Sequence, residues 1–185
     1  RRVSFILTTR NRAQIIGKAL EQAQALVKEN DELIVVDGAS TDGTVEIIAS
    51  HGDLIDTFIS EPDASCDHAI NKGMLVARGK YVKHLTDDDD FFPEAMEQAI
   101  ALLDANPQVD ILVCGGTRQL GDDVYPFYVP PHINYGKSPE DVFKYGVCGC
   151  GFLIRRSSLS LTGLANAVGV ATDGEFIAKA ICNGA

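Results

Sequence analysis

Apolar runs and helical-period stretches alternate along the first half of the chain. Val3-Ser-Phe-Ile-Leu-Thr8 is a short β-prone run, and Ile15, Ile16, Ala19, Leu20, Ala23, Leu26 and Val27 then recur at the spacing of one helix face. Glu32-Leu-Ile-Val-Val36 predicts a second buried strand, ended by Asp37-Gly38. Ser40-Thr41-Asp42-Gly43 offers cap residues for a helix carrying Val45, Ile47 and Ile48. Leu54 to Ile59 reads as a third strand; Cys66, Ile70, Met74 and Ala77 mark a third helix that Gly79 ends, and Lys80 to Leu85 forms a fourth strand. Pro93 opens a helix with Ala95, Ala99, Leu102 and Leu103, which stops at Asn106-Pro107.

This alternation predicts an α/β fold with a doubly wound, mostly parallel sheet flanked by helices, whose ligands sit at the carboxyl ends of the strands. Thr8, Asp37, Glu61 and the run Asp87-Asp88-Asp89-Asp90 all follow apolar β runs. They are therefore expected along one sheet edge. The second half is less regular. Val109 to Cys114 and Gly151 to Ile154 read as strands, the latter leading to Arg155-Arg156, and Asp173-Gly-Glu175-Phe176 opens a last helix with Ile177, Ala180 and Ile181. Residues 121–140, with Pro126, Pro130, Pro131 and Pro139 among aromatics, suit a loop over a site.

The acidic run is the strongest chemical signal. Carboxylates a few ångströms apart raise one another's pKa, and they stay ionised together only when a cation joins them. Their oxygens suit a hard divalent ion that also binds phosphate; the competing reading is a solvated turn. A net charge of −10 argues against a general nucleic-acid surface. No apolar stretch reaches the roughly 18 residues a bilayer needs, and no membrane association is visible. Cys66, Cys114, Cys148, Cys150 and Cys182 follow no extracellular disulfide spacing, which suits a reducing, cytoplasmic setting, at most peripheral to the inner face of a membrane. Cys148-Gly-Cys150 lacks a second Cys/His pair at zinc spacing and reads as pocket-lining thiols. With no repeat or linker, residues 1–185 read as one domain, and the missing initiator Met and abrupt end suggest a piece cut at its C-terminus.

Four segments together resemble the family 2 glycosyltransferases, which have the GT-A nucleotide-sugar fold. They are Val3 to Asn11, Ile34-Val-Val-Asp-Gly-Ala-Ser-Thr-Asp-Gly-Thr44, the stretch from Ser60-Glu-Pro-Asp63 through Asp67-His-Ala-Ile-Asn-Lys-Gly73 to Ala77-Arg-Gly-Lys-Tyr81, and Leu85-Thr-Asp-Asp-Asp-Asp-Phe-Phe-Pro93. The resemblance covers about residues 3–105 well and the remainder loosely. It implies a nucleotide-sugar-binding part over about 1–105 and an acceptor and catalytic part over about 106–185.

The resemblance also implies roles. Thr8 and Arg10 would lie beside the base and ribose, with Glu61 at the same edge, and Asp37 would accept from a base N–H. Asp88 would hold Mn2+ or Mg2+, Asp87 would sit at the ribose or metal, and Asp89 could take either role, since one sequence cannot order four identical residues. Asp173, or next Glu175, would be the base that takes the acceptor proton in an inverting transfer; the alternative for both is helix capping. Lys72 and Arg78 could reach phosphate or simply be solvated, Asn71 and Gly73 suit close helix packing, and His68 and His84 flank the site while His51 and His132 do not. The implied reaction moves a sugar from a nucleoside-diphosphate sugar, with uridine the default, to a saccharide or lipid-linked acceptor, as in polysaccharide biosynthesis. Cys148-Gly-Cys150-Gly151 stands where relatives often carry His or Gln, which opens the acceptor side to question. Two other readings remain: a non-catalytic nucleotide-sugar-binding domain of a larger protein, and a sugar nucleotidyltransferase, whose glycine-rich loop Thr8-Thr-Arg-Asn-Arg12 lacks.

Overall fold

A computed structural model describes residues 1–127, 139–169 and 172–185. The first half forms the predicted alternation: β1 (Val3–Thr9), α1 (Ile16–Leu26), β2 (Glu32–Asp37), α2 (Thr44–Ala49), β3 (Thr57–Ser60), α3 (Cys66–Val76), β4 (Tyr81–Leu85) and α4 (Pro93–Ala105). The third β run is shorter than its apolar stretch, because Gly52–Leu54 forms a 3-10 turn first. The second half adds β5 (Ile111–Val113), β6 (Gly116–Leu120), β7 (Asp123–Phe127), α5 (Pro139–Tyr145), β8 (Phe152–Arg155), α6 (Leu159–Thr162) and α7 (Thr172–Cys182).

Six strands make one sheet in the order β3-β2-β1-β4-β8-β5, and β1 through β4 run parallel. β8 alone is antiparallel, to both β4 and β5. Every residue of β1 and β2 is buried, as expected of parallel strands covered on both faces. Alternate side chains divide the core. Phe5, Leu7, Leu33 and Val35 pack with α1 and α4, whereas Ile6, Ile34 and Val36 pack with α3 and α7. The strand order reverses direction between β1 and β4, which opens a crevice at their carboxyl ends.

Residues 121–140 differ from the expected loop. Asp123–Phe127 pairs with Gly116–Leu120 as a separate antiparallel hairpin, and Pro139–Tyr145 is helical. The β6 residues are all exposed, so no apolar alternation marked them in the sequence. Pro130, Pro131 and His132 lie outside the described residues. Arg155 and Arg156 are structural. Arg155 donates to the carbonyls of Leu103, Asn106 and Val109 at the end of α4, and Arg156 donates to Gly79 O at 2.7 Å.

Asn71 and Gly73 hold α3 in place. Asn71 makes a reciprocal pair with the Ala165 backbone, at 2.8 and 2.9 Å. A Cβ on Gly73 would lie 2.4 Å from Ile6 Cγ2, so only glycine allows α3 this close to β1. Gly73→Ala should therefore lower stability by about 1–3 kcal/mol through overpacking. Combined with Ile6→Ala, the pair should be less destabilised than the sum of the single changes, with coupling of about 1 kcal/mol in urea unfolding.

Candidate active site

Two cavities open side by side at the carboxyl end of the sheet, about 300 and about 290 Å³ in volume. Cys66 and Thr86 line both, so the turn after β4 and the start of α3 form the wall between them. The first cavity is lined by Thr8, Thr9, Arg10, Arg12, Asp87 and Asp88, among others. Its loops are laced together. Asn11 N donates to Ser40 Oγ at 2.7 Å, Thr41 N donates to Asn11 Oδ1 at 2.9 Å, and Arg12 N donates to Thr44 Oγ1 at 2.8 Å. Asn11 and Ala39 both sit in the left-handed region (φ 53° and 56°), and these cross-links hold them there.

The four aspartates point to four environments. Asp87 accepts from Thr9 Oγ1 at 2.6 Å and lies 3.5 Å from Arg12 Nε. Burial, together with the charge of Asp88, pushes its carboxyl up, while Thr9 and Arg12 pull it down. Asp88 lines the first cavity and takes no hydrogen bond or ion pair from the described residues. Asp89 accepts from Thr86 and lines the second cavity. Asp90 turns away to Lys18 (3.1 Å) and Gln22 on α1.

The second cavity has an apolar floor that includes Ile70, Met74, Val82 and Phe176, and a polar rim of Asp67, His84, Cys148, Cys150 and Asp173. Asp173 lies in the first turn of α7, and its Oδ2 accepts from Gly149 N at 2.8 Å. A Cβ on Gly149 would stand 2.4 Å from Asp173 Oδ1, so the middle residue of the Cys-Gly-Cys turn has to be glycine. Burial and the neighbouring Asp173 charge raise the Asp67 carboxyl, against a hydrogen bond from Thr172. His84 shares a 2.9 Å hydrogen bond with Thr8 Oγ1, and burial, with Lys83 beside it, lowers its pKa to about 3, which keeps the ring neutral.

Comparison with known proteins decides the family. The family model "Glycosyl transferase family 2" matches residues 4–161. The chain belongs to glycosyl transferase family 2. An uncharacterized glycosyltransferase of Rickettsia prowazekii is 30% identical over 158 residues, covering 82% of this chain and 49% of that protein. One from Rickettsia felis is 34% identical over 172 residues, covering 89% of this chain and 28% of that protein. The chain thus spans half or less of the length of these relatives. Among solved structures, S. aureus TarS 1–349 in complex with UDP-GlcNAc superposes with a TM-score of 0.77 at 21% identity, over 99% of this chain and 54% of that one. Mannosyltransferase PcManGT from Pyrobaculum calidifontis, in complex with GDP-Man and Mn2+, gives 0.71 at 23%, over 95% and 50%. These likenesses establish the GT-A architecture.

Within this family 2 fold, Thr8, Arg10, Asp87 and Asp88 gather at the first cavity, and Asp89 and Asp173 at the second. Three expected residues stand apart. Asp37 is fully buried, and its carboxylate accepts from Ser40 N (3.0 Å), Ser40 Oγ and Ser60 Oγ (2.7 Å), so it serves the turn after β2. Glu61 is exposed and pairs with Lys72 at 3.1 Å. Glu175 is exposed and accepts from Asn166 at 3.0 Å. Lys72 and Arg78 are likewise engaged, with Asp63 and Glu32 respectively. His68 holds the start of α3, its Nδ1 accepting from Ala64 N.

The sequence reading did not single out Arg12, Asp63, Asp67 or Lys83. Asp63 and Asp67 sit inside the stretches that carry the resemblance and Arg12 directly follows one, but which way they face depends on tertiary structure. Lys83 is a lysine at an inward position of a central strand, a signal in itself. It is 3% exposed, donates to the carbonyls of His84 (2.9 Å) and Cys150, and lies 4.7 Å from the Phe91 ring centroid.

Among the described residues no three Asp, Glu, His or Cys side chains converge as a self-sufficient metal cage. Asp88, exposed on the first cavity beside the half-satisfied Asp87, is nevertheless a fit donor for a hard cation. Magnesium-like ions commonly take one or two carboxylates and complete their shell with water and phosphate oxygens.

Burial lowers the Lys83 pKa from 10.5 to about 8, although the sulfurs of Cys150, Cys114 and Cys148 and the charge of Asp89 push it back up. Between those values the unfolded chain holds more protons than the folded one, so Lys83 makes stability rise with pH across this window. Lys83→Met should remove that slope and raise stability at pH 7 by about 1–3 kcal/mol, less whatever the lost hydrogen bonds cost. Unfolding of the two proteins compared from pH 7 to 10.5 reads the difference.

Proposed function

We propose that this chain is the transferring domain of a metal-dependent glycosyltransferase, which moves a sugar with inversion from a nucleoside-diphosphate sugar to an acceptor hydroxyl. The observation that carries this is the acidic turn set as a wall between two cavities, with Asp87 and Asp88 lining one and Asp89 lining the other together with Asp173. A donor bridging from the first cavity would present its anomeric carbon at that wall.

The first cavity takes the nucleoside diphosphate. Thr8 and Arg10 lie along its nucleoside side, and the Arg10 and Arg12 guanidiniums supply fixed positive charge in a chain of net charge −10. Asp37 acts at one remove, by holding the β2–α2 turn against which Arg10 packs through Gly38. Asp88, with Asp87 adjoining, would hold Mn2+ or Mg2+. The ion would bind the diphosphate oxygens and neutralise the charge that develops as the nucleoside diphosphate departs. PcManGT, which has the same architecture, carries Mn2+ with its GDP-Man.

The second cavity takes the acceptor. Asp173 is the base, with Gly149 N–H fixing one carboxylate oxygen and leaving the other free to accept the hydroxyl proton. Asp67 lines the same cavity, and burial together with the Asp173 charge raises its carboxyl. His84 stays neutral and ties Thr8 of the donor cavity to the polar rim of the acceptor cavity. The apolar floor would hold the non-reacting face of a saccharide or a lipid-linked acceptor. Glu175 is tied to the Asn166 side chain and does not line the cavity. The setting fits polysaccharide assembly from cytoplasmic donors. No helix among the described residues is long and apolar enough to cross a membrane.

Calorimetry with UDP, GDP and their sugars, with and without Mn2+, tests the donor half. One nucleotide should bind only with metal, and Asp88→Ala should abolish that binding. Asp173→Asn should keep donor binding while turnover falls about 10²–10⁴-fold. Unchanged turnover in Asp173→Asn would remove it as the base, and metal-independent nucleotide binding would remove the metal from the mechanism.

A further inference from the structure

The Cys148-Gly-Cys150 turn is left without a chemical role by the transfer reaction. Its two sulfurs lie 3.0 Å apart, and both thiols are partly exposed on the rim of the second cavity. No other sulfur pair is in contact among the described residues; Cys66 and Cys182 are exposed single thiols, and Cys114 is a partly buried one. Two features mark this pair as reactive. The hydrogen bond between the sulfurs, 3.0 Å apart, pushes the Cys148 thiol down and the Cys150 thiol up. Beneath them the buried Lys83 ammonium donates to the Cys150 carbonyl and favours negative charge on sulfur.

The turn also carries the contact that orients Asp173. Gly149 N–H lies between the two cysteines and is the donor to Asp173 Oδ2. There is no slack on the other side, since a Cβ at Gly149 would already meet Asp173 Oδ1 at 2.4 Å. Drawing the sulfurs from contact to bonding distance has to twist the peptide units between them, and the Gly149 N–H moves with them. The first cavity is not lined by this turn.

We propose that Cys148 and Cys150 form a dithiol–disulfide site whose oxidation closes the acceptor side of the domain while leaving the donor side able to bind nucleotide. The gating half of this proposal rests on the reading of Asp173 as the base. The reactant is a low-molecular-weight disulfide. The Cys148 thiolate attacks one of its sulfurs, forming a mixed disulfide and expelling one thiolate, which takes up the proton Cys148 had lost. The Cys150 sulfur, giving up its own proton, then attacks Cys148 Sγ and expels the second thiol. The two cysteines are oxidised to one disulfide, the reagent is reduced to two thiols, and both cysteine protons end on those thiols. Excess small thiol reverses the sequence.

The test incubates the whole chain with oxidised glutathione and reads three things: the peptide mass map, nucleotide binding by calorimetry, and release of nucleoside diphosphate from its sugar. Residues 148–150 should become lighter by two hydrogens without a glutathione adduct, while Cys182 gains an adduct. Turnover should fall at least tenfold and return with dithiothreitol, and nucleotide affinity should stay within twofold. In Cys150→Ser no bridge can form, and Cys148 should carry the mixed disulfide in its place, which identifies the attacking sulfur. The proposal is overturned if 148 and 150 stay reduced while Cys182 reacts, or if the bridge forms and turnover is unchanged. A bridge in a chain that has no turnover even when reduced would sink the base reading and uphold the thiol site, because the mass map does not depend on activity.

Discussion

The whole arrangement hangs on strand β4. It pairs in parallel with β1 along one edge and antiparallel with β8 along the other. The parallel edge sets the acidic turn, at the end of β4, level with Thr8 and Thr9 at the end of β1. The antiparallel edge brings the start of β8, and with it the Cys-Gly-Cys turn, to the same end of the sheet. Chain direction alone thus puts the two cavities next to each other. Lys83 fastens the join, since its amine crosses from β4 to the Cys150 carbonyl.

Charge at this end of the sheet is managed by partition. Four carboxylates in sequence would repel if they shared one volume, and the fold gives three of them separate partners: Thr9 and Arg12, Thr86, and Lys18 with Gln22. Only Asp88 faces a cavity without one. The opposite end of the sheet treats charge differently. There Glu32 is fully buried, and it is satisfied by Ser4, by the Arg78 backbone and by the Arg78 guanidinium. Burial opposes its ionisation, but those donors outweigh it and hold its pKa below the usual carboxylate value. Fully buried acids are satisfied at both ends, Glu32 at one and Asp37 at the other, and the acid left open is the exposed Asp88.

Much of this was legible in the sequence, for a specific reason. In parallel α/β units the apolar runs, the helical periods and the polar residues at strand ends all repeat in order, so Thr8, Asp37 and the acidic run could be assigned to one edge before any coordinates. Which way each side chain faces was not legible. Asp37 and Asp88 look alike in sequence, yet one is sealed by two serines and a backbone amide while the other is open. Asp173 and Glu175 are two positions apart on one helix, and so lie about 200° apart around its axis; one reaches the cavity and the other reaches Asn166. The β6–β7 hairpin escaped notice because its exposed residues carry no apolar alternation. Lys83 was a legible signal that went unread, a cation between the buried Val82 and the half-buried His84 of a central strand.

The one antiparallel strand of the six-stranded sheet has a consequence for synthesis. A chain emerging from the ribosome delivers its N-terminal part first. By the time residue 90 is out, β1 through β4 can assemble, because their mutual pairings need nothing later in the chain. The outer edge of β4 then has no neighbour until residues 152–155 arrive as β8, some sixty residues further on. For that interval a central strand behaves as an open edge, the feature that invites pairing with other chains. The lysine at position 83 then does a second service: a charge on a nascent edge discourages such encounters until β8 arrives and buries it.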